Sequence, residues 1–565
     1  MLHDTGLQFV VHNFYTLASP QSSNLLDLKM LLPLAVLNSY PTHDTTLDGV
    51  FRSRCSVQAQ QPLLIDGEST ISWEVFGQRY QRLARAFSSR GVRSGDRVAV
   101  VARNGIAHVL TLFALARLGA VMVPVNPDFA IREMTYVLSH SDVSGVLVGA
   151  EVLTTVRSAI AQTSLHPWVA LLDGQQDDLL TIDDMMGGAP DMDLPENPTP
   201  AATCIIIYTS GTTGFPKGVM HSQASLIAVG EANLGRIHLQ PDDRVMVVLP
   251  FFHVNALFYS LGAVIAAGAA LVIVTRFSAS RFWQIAAETR ATVVNIIEVM
   301  GSILMSRDRS EYRSDHCLRV VYGVRNNAAK TFHEDFAVPH LFSGFGMTEI
   351  PGVTCNPIHH PGKPGSMGVL GSHPDPERAW AQCRIVDENG QDVAVDVVGE
   401  LWVKTPVVMQ GYFRDPEQTA AAFRDGWLMT GDLVRRDSDG YFFFAARKKD
   451  IIRRRGENIA AAELDMVISA HPSVYESAAI AVPSELGEDD ILTAIVIKPG
   501  HSLNADEMAQ WCRERLAAHK VPRYIAFLEA LPHTPTHKIA KAALRQDTEL
   551  RTRAVDLQDN KHSTT

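Results

Sequence analysis

Six cysteines in 565 residues is few, and none of them pairs at CxxC spacing or joins a histidine pair. That excludes a zinc ribbon and makes a disulfide framework a poor expectation; Cys55, Cys204, Cys317, Cys355, Cys383 and Cys512 read as reduced thiols of a cytoplasmic protein. Positive charge is also short. The net charge is −11, and no basic block interleaved with aromatics is present, so a nucleic-acid partner is not expected. The one basic run, Arg447 to Arg455, suits a phosphate or a solvated face. Long apolar stretches are nearly absent. Leu257 to Val274 holds eighteen uncharged residues, nominally enough for a bilayer. Its Ala266-Ala-Gly-Ala-Ala270 cluster instead divides it into a buried helix and a strand, so no integral membrane segment is expected. No Gly-x-Ser-x-Gly elbow and no Cys–His nucleophile motif occur. The chain ends Ser-Thr-Thr, which is no peroxisomal signal. The apolar segment Leu25 to Leu37 is broken by Asp27, Lys29 and Pro33 and lacks a basic lead-in, so it reads as a poor targeting signal.

What is present is a hydrophobic fraction of 46% with mean hydropathy near zero, over a length that exceeds one compact core. Two or more domains are expected. Strand-like runs alternate with helical ones: Asp96 to Val101, then Gly105 to Leu118 as a helix, then Ala120 to Pro124. The pattern returns at Val146–Val148, Val245–Leu249, Leu271–Val274, Val293–Ile297 and Leu318–Tyr322. Such alternation predicts an α/β protein with parallel sheets covered by helices. From Cys383 the texture changes. Gln382–Val386, Gly399–Val403 and Gly440–Phe444 read as short strands of a β-rich subdomain. After Arg447 an α+β unit follows, with helices near 461–470 and 504–517 and strands near 477–482 and 492–498. The acidic, proline-rich stretch Asp191 to Pro200 reads as a linker inside the large domain.

The densest chemistry lies in Tyr208-Thr-Ser-Gly-Thr-Thr-Gly-Phe-Pro-Lys-Gly-Val219, directly after the run Cys204-Ile-Ile-Ile207. Glycines let backbone N–H groups approach phosphate oxygens, hydroxyls add donors, and Lys217 adds a positive charge. Thr209, Ser210, Gly211, Thr212, Thr213, Gly214 and Lys217 are therefore the candidate phosphate cradle. It is not a Walker A sequence, because Pro216 and Gly218 flank the lysine.

Four more motifs follow in order: Gly344-Phe-Gly-Met-Thr-Glu349, Thr430-Gly-Asp432, Arg447-Lys-Lys-Asp-Ile-Ile-Arg-Arg-Arg-Gly-Glu-Asn-Ile459 and Pro535-Thr-His-Lys-Ile-Ala-Lys541. Together the five resemble the adenylate-forming superfamily of acyl-CoA synthetases, luciferases and peptide-synthetase adenylation domains, from about Asp48 to Arg545. The basic run and Pro-Thr-His-Lys look most like the carnitine/crotonobetaine-CoA ligase branch. The resemblance implies an extension over 1–46, a large AMP-binding domain over 47–448, a small mobile C-terminal domain over 449–548 and a tail over 549–565. Met30 is an alternative start.

The resemblance also implies an acid–thiol ligase of fatty acid metabolism type, using ATP, magnesium and coenzyme A to turn a carboxylic acid into an acyl-adenylate and then a thioester. An amine or a carrier-protein thiol is the alternative acceptor. The site roles it implies are these. Glu349 holds magnesium and Thr348 lies by the α-phosphate. Gly344, Phe345, Gly346 and Met347 border the adenine, with Phe345 where relatives carry Tyr. Asp432 and Arg447 take the ribose. Lys538 is the catalytic lysine of adenylation, preceded by His537 where relatives have Gly, with Lys541 as competitor. Ala446 likewise replaces a usual Gly. His253, Val254 and Gly323 border the acyl group, and the polar Arg325-Asn-Asn327 suggests a polar or short acid. Lys449 is the hinge, and Gly456, Glu457 and Asn458 form the coenzyme A side.

Overall fold

The computed structural model describes residues 30–176, 178–209, 216–324, 328–357, 362–454, 457–484, 488–533 and 539–558. Two seven-stranded sheets form its centre. In the first, Arg97–Val101 lies between the parallel strands Val121–Val125 and Gly145–Gly149; Trp168–Asp173 and Thr203–Thr209 extend it to either side. The middle strands are buried on both faces, which is why they read as unbroken Val, Met and Leu runs. This sheet ends in two antiparallel strands, Lys217–Ser222 and then the two-residue Gly411–Tyr412.

The second sheet runs His340–Phe342, Val320–Tyr322, Val293–Asn295, Arg244–Val247, Ala270–Ile273, Pro62–Asp66 and Ser69–Ser72, parallel throughout except for the last pair. One apolar core joins the sheets through the helices Leu47–Gln58, Trp73–Ser89, Ile106–Arg117 and Gln223–Ile237. Helix starts follow local chemistry: the Ser72 hydroxyl accepts from Val75 N, and the Ser222 hydroxyl from Ser225 N.

The uncharged stretch from Leu257 divides as its glycine cluster requires. A π-helical segment Asn255–Leu261 runs into the helix Gly262–Ala267, Gly268 turns the chain at φ 73°, and Ala270–Ile273 enters the sheet. Among the described residues no helix is long and apolar enough to cross a membrane.

The β-rich part pairs Gln382–Val386, Gly399–Lys404, Trp427–Arg436 and Phe423–Arg424, with Phe442–Arg447 on the long strand. The last strand sits two residues later than the sequence suggests, because Asp437 caps the turn at Asp439–Tyr441 and starts pairing at Phe442. The C-terminal sheet joins Val474–Pro483, Asp489–Ile497, Tyr524–Phe527 and Val555–Asp556. Its helix Ala505–Arg515 opens on a reciprocal cap between Asn504 and Glu507. Residues 30–46, placed in the extension by sequence, lie against the large domain: Val36 is fully buried and the Tyr40 hydroxyl donates to Ala267 O at 2.8 Å.

Candidate active site

Thr209 and Lys217 face each other as the last antiparallel pair of their two strands. Ser210, Gly211, Thr212, Thr213 and Gly214 lie outside the described residues. The Lys217 ammonium stands 4.7 Å from the centre of the Tyr412 ring, within cation–π range.

Gly344–Met347 pairs antiparallel with Ile350–Cys355, and Thr348 and Glu349 occupy the turn between them. This turn is held at each residue. Thr348 O lies 2.7 Å from His221 Nε2. Glu349 O accepts from Met409 N at 2.8 Å, and its Oε1 accepts from the Tyr412 hydroxyl at 2.8 Å. Burial lowers the His221 pKa to about 4, so the ring is neutral and its Nε2–H donates to the carbonyl. Phe345 is half-buried, with its N–H donating to Thr354 Oγ1 at 3.1 Å. Gly346 has no room for a side chain: a Cβ there would stand 2.4 Å from Tyr259 Oη and 2.5 Å from Gly352 N.

Asp432 is fully buried on Trp427–Arg436 and pairs in register with Arg447, whose Nε is 2.5 Å from the carboxylate. Glu400 brackets this pair. Its carboxylate accepts from Gly431 N at 3.2 Å and from Lys448 Nζ at 3.0 Å. Ala446 fits beside them, buried opposite Leu433. Lys449 follows in the single turn Lys448–Asp450, exposed, its pKa lowered first by partial burial and then by Arg447 and Arg545, with Asp450 opposing.

His253 and Val254 are half-buried just before the π-helical segment, with the His253 ring 4.5 Å from Phe252. Gly323 ends the strand Val320–Tyr322 at φ 101°, and a Cβ would meet Ile296 O at 2.0 Å. Tyr322 connects it to the nucleotide motif, its hydroxyl lying 2.7 Å from where a Gly344 Cβ would stand. Glu457 is exposed on the strand Glu457–Ala460, and the Asn458 backbone pairs with Arg453. Lys538, Gly456 and Arg325–Asn327 lie outside the described residues. Lys541 is described, and it is tied to Asp465 by an ion pair.

Sequence reasoning missed Tyr412, His221 and Glu400. Each acts on a site residue distant in the chain, so no local motif marks it. Tyr412 sits on a two-residue strand, too short to show a period of two.

A parallel α/β domain, a Gly/Ser/Thr-rich sequence leading to Lys217 between two paired strands, and the buried carboxylates of Glu349 and Asp432 define a nucleotide-dependent enzyme. The chain belongs to the AMP-binding enzyme family: the model described as AMP-binding enzyme matches residues 51–413, and that of the AMP-binding enzyme C-terminal domain matches residues 463–538. It is 30% identical over 508 residues to the sulfoacetate–CoA ligase of Cupriavidus necator, covering 88% of this chain and 97% of that one. It is 29% identical over 504 residues to the crotonobetaine/carnitine–CoA ligase of Escherichia coli, covering 84% and 93%. Its fold is that of an anthranilate CoA ligase solved with anthranoyl-AMP, at TM-score 0.81, 22% identity, and coverage of 91% of this chain and 99% of that one. ATP-bound MatB from Rhodopseudomonas palustris shares it at TM-score 0.78, with 24% identity and coverage of 88% and 98%.

Proposed function

We propose that this protein is an ATP-dependent acyl-CoA synthetase that activates a carboxylic acid as its acyl-adenylate and passes the acyl group to coenzyme A. The observation that carries this reading is the convergence of Lys217 and Glu349 on Tyr412, in an AMP-binding enzyme whose relatives over most of its length include CoA ligases.

In the first step an oxygen of the acid attacks the α-phosphorus of ATP, and the bond to pyrophosphate breaks. Negative charge gathers on the phosphorus oxygens and the leaving group, so fixed cations and donors stabilise it most. Lys217 and the segment of Thr209, Ser210, Gly211, Thr212, Thr213 and Gly214 hold the β- and γ-phosphates. Thr348 faces the α-phosphate. Lys538 bridges the acid carboxylate and the α-phosphate, offsetting the repulsion between two anions. Lys541 is a weaker candidate, because Asp465 already engages it.

Phe345 packs on adenine between Gly344, Gly346 and Met347. Asp432 accepts from the ribose hydroxyls, with Arg447 paired to its carboxylate. A magnesium ion fits here as a hard cation that one carboxylate and the substrate phosphates share. Glu349 is the carboxylate that would hold it, and the ion would supply charge neutralisation along the triphosphate.

In the second step the thiolate of coenzyme A attacks the acyl carbonyl, and AMP leaves. Lys449 is the hinge, and Gly456, Glu457 and Asn458 line the thiol side. His253, Val254 and Gly323 border the acyl group. The acid is short or polar, as in the sulfoacetate and crotonobetaine relatives. Pyrophosphate release by purified protein with ATP, magnesium and a panel of such acids, with and without coenzyme A, tests this reading. Release that needs an acid and is sustained by coenzyme A supports it.

A further inference from the structure

Lys217 and Glu349 are 132 residues apart, and one side chain touches both. Tyr412 donates its hydroxyl to Glu349 Oε1 at 2.8 Å and presents its ring to the Lys217 ammonium at 4.7 Å. No direct ion pair joins Lys217 to Glu349 among the described residues. Tyr412 thus contacts both charged groups, one through its ring and the other through its hydroxyl.

The segment around Tyr412 is fixed on three sides. Gln410 N and Phe413 N donate to Met220 O and Gly218 O of the strand Lys217–Ser222, at 2.9 and 2.7 Å. Tyr412 N donates to Thr419 Oγ1 at 2.9 Å, and Met409 N to Glu349 O at 2.8 Å. Tyr412 itself is 9% exposed and Glu349 is 8% exposed. A buried carboxylate needs partners, and this one has about four acceptor sites, of which the phenol takes one. The rest remain for a cation.

We infer that Tyr412 is a positioning residue of the phosphate site: its hydroxyl orients the Glu349 carboxylate toward the metal position, and its ring seats Lys217 beside it. The inference rests on the phosphate and metal roles proposed above for Lys217 and Glu349. Tyr412 acts through these two groups and touches no reacting atom.

Tyr412→Phe removes the hydroxyl and keeps the ring, whereas Tyr412→Leu removes both. The readouts are the magnesium dependence of acid-dependent pyrophosphate release, manganese binding in the presence of ATP by electron paramagnetic resonance, and calorimetric binding of AMP and of metal-free ATP. Tyr412→Phe is expected to weaken the apparent metal affinity on the order of tenfold, the loss of one hydrogen bond to a charged group. It is expected to leave AMP binding and metal-free ATP binding within about twofold. Tyr412→Leu is expected to weaken metal-free ATP binding as well, by roughly threefold, for want of the cation–π contact. Wild-type metal dependence in Tyr412→Phe overturns the inference, and so does an equal loss of AMP and metal affinity, which would mark a purely structural residue. Wild-type protein that binds no ATP would overturn the functional reading and this inference together. Normal ATP binding with unmoved metal dependence would overturn this inference alone.

Discussion

Asp432 and Arg447 oppose each other across two antiparallel strands, with the guanidinium Nε 2.5 Å from a carboxylate that solvent does not reach. A buried carboxylate paired with a guanidinium is a strong acceptor for a ligand hydroxyl. In the proposed enzyme that ligand is the ribose. Asp432→Ala is expected to weaken AMP binding by about 10- to 100-fold, as for loss of hydrogen bonds to a charged group. Calorimetric titration with AMP measures it. Affinity within twofold of wild type would remove Asp432 from the nucleotide site.

Lys538 and Lys541 separate by a paired comparison. Lys541 is committed to Asp465 in this arrangement. Lys538→Ala is expected to slow acid-dependent pyrophosphate release by at least about 100-fold while AMP still binds, because a preorganised charge at the transferring phosphorus acts in the transition state. Lys541→Ala is expected to cost thermal stability more than rate. Single-turnover release with each variant distinguishes them, and the reverse ranking would exchange the two roles.

Gly346 and Gly323 are expected to reject even alanine. A methyl at Gly346 would press on Tyr259 Oη and Gly352 N, and one at Gly323 would meet Ile296 O in a left-handed backbone. Gly323→Ala should destabilise by about 2 kcal/mol or more, read as a drop in the denaturation midpoint. Gly346→Ala should lose nucleotide affinity as well as stability, since the Gly352 backbone N stands 2.5 Å from the added Cβ. An unchanged midpoint in Gly323→Ala would contradict the close approach to Ile296.

His221 gives the fold a dependence on pH. Its pKa falls from 6.5 to about 4 on folding because burial disfavours the charged ring. The folded state therefore has its full stability above pH 6.5 and loses it as pH falls toward 4, where both states are protonated. The loss from this residue is about 3 kcal/mol. Urea denaturation of wild type and His221→Gln at pH 7 and pH 4.5 measures it. The variant is expected to be less stable at pH 7 and to lose less on acidification. Equal pH slopes would show that His221 is accessible to protons.

Much of the large domain was legible because two of its inner strands carry no polar side chain. Val121–Val125 and Gly145–Gly149 cannot be read as surface elements, and Gly119 marks the end of the helix before the first of them. The pairing that builds the site was not legible. The strand Gly411–Tyr412 is two residues long and exists only because Lys217–Ser222 offers it an edge. Val474–Pro483 extends three residues earlier than its apolar core suggests, because Asp489–Ile497 supplies partners for Val474 and Glu476. The phosphate-loop and Gly344–Glu349 motifs were visible as sequence, but the Tyr412 hydroxyl and the His221 ring that hold the second were not. They reach it from 63 and 127 residues away, and only tertiary packing brings them there.

The measurement that tests the central claim most directly follows thioester, AMP and pyrophosphate together. Purified protein would receive ATP, magnesium, coenzyme A and a panel of short polar acids, with Lys538→Ala alongside. The account predicts one thioester and one AMP per acid consumed, dependence on both acid and coenzyme A, and near-complete loss in the variant. Adenylate formation without thioester, with an amine or a carrier protein accepting the acyl group instead, would contradict it.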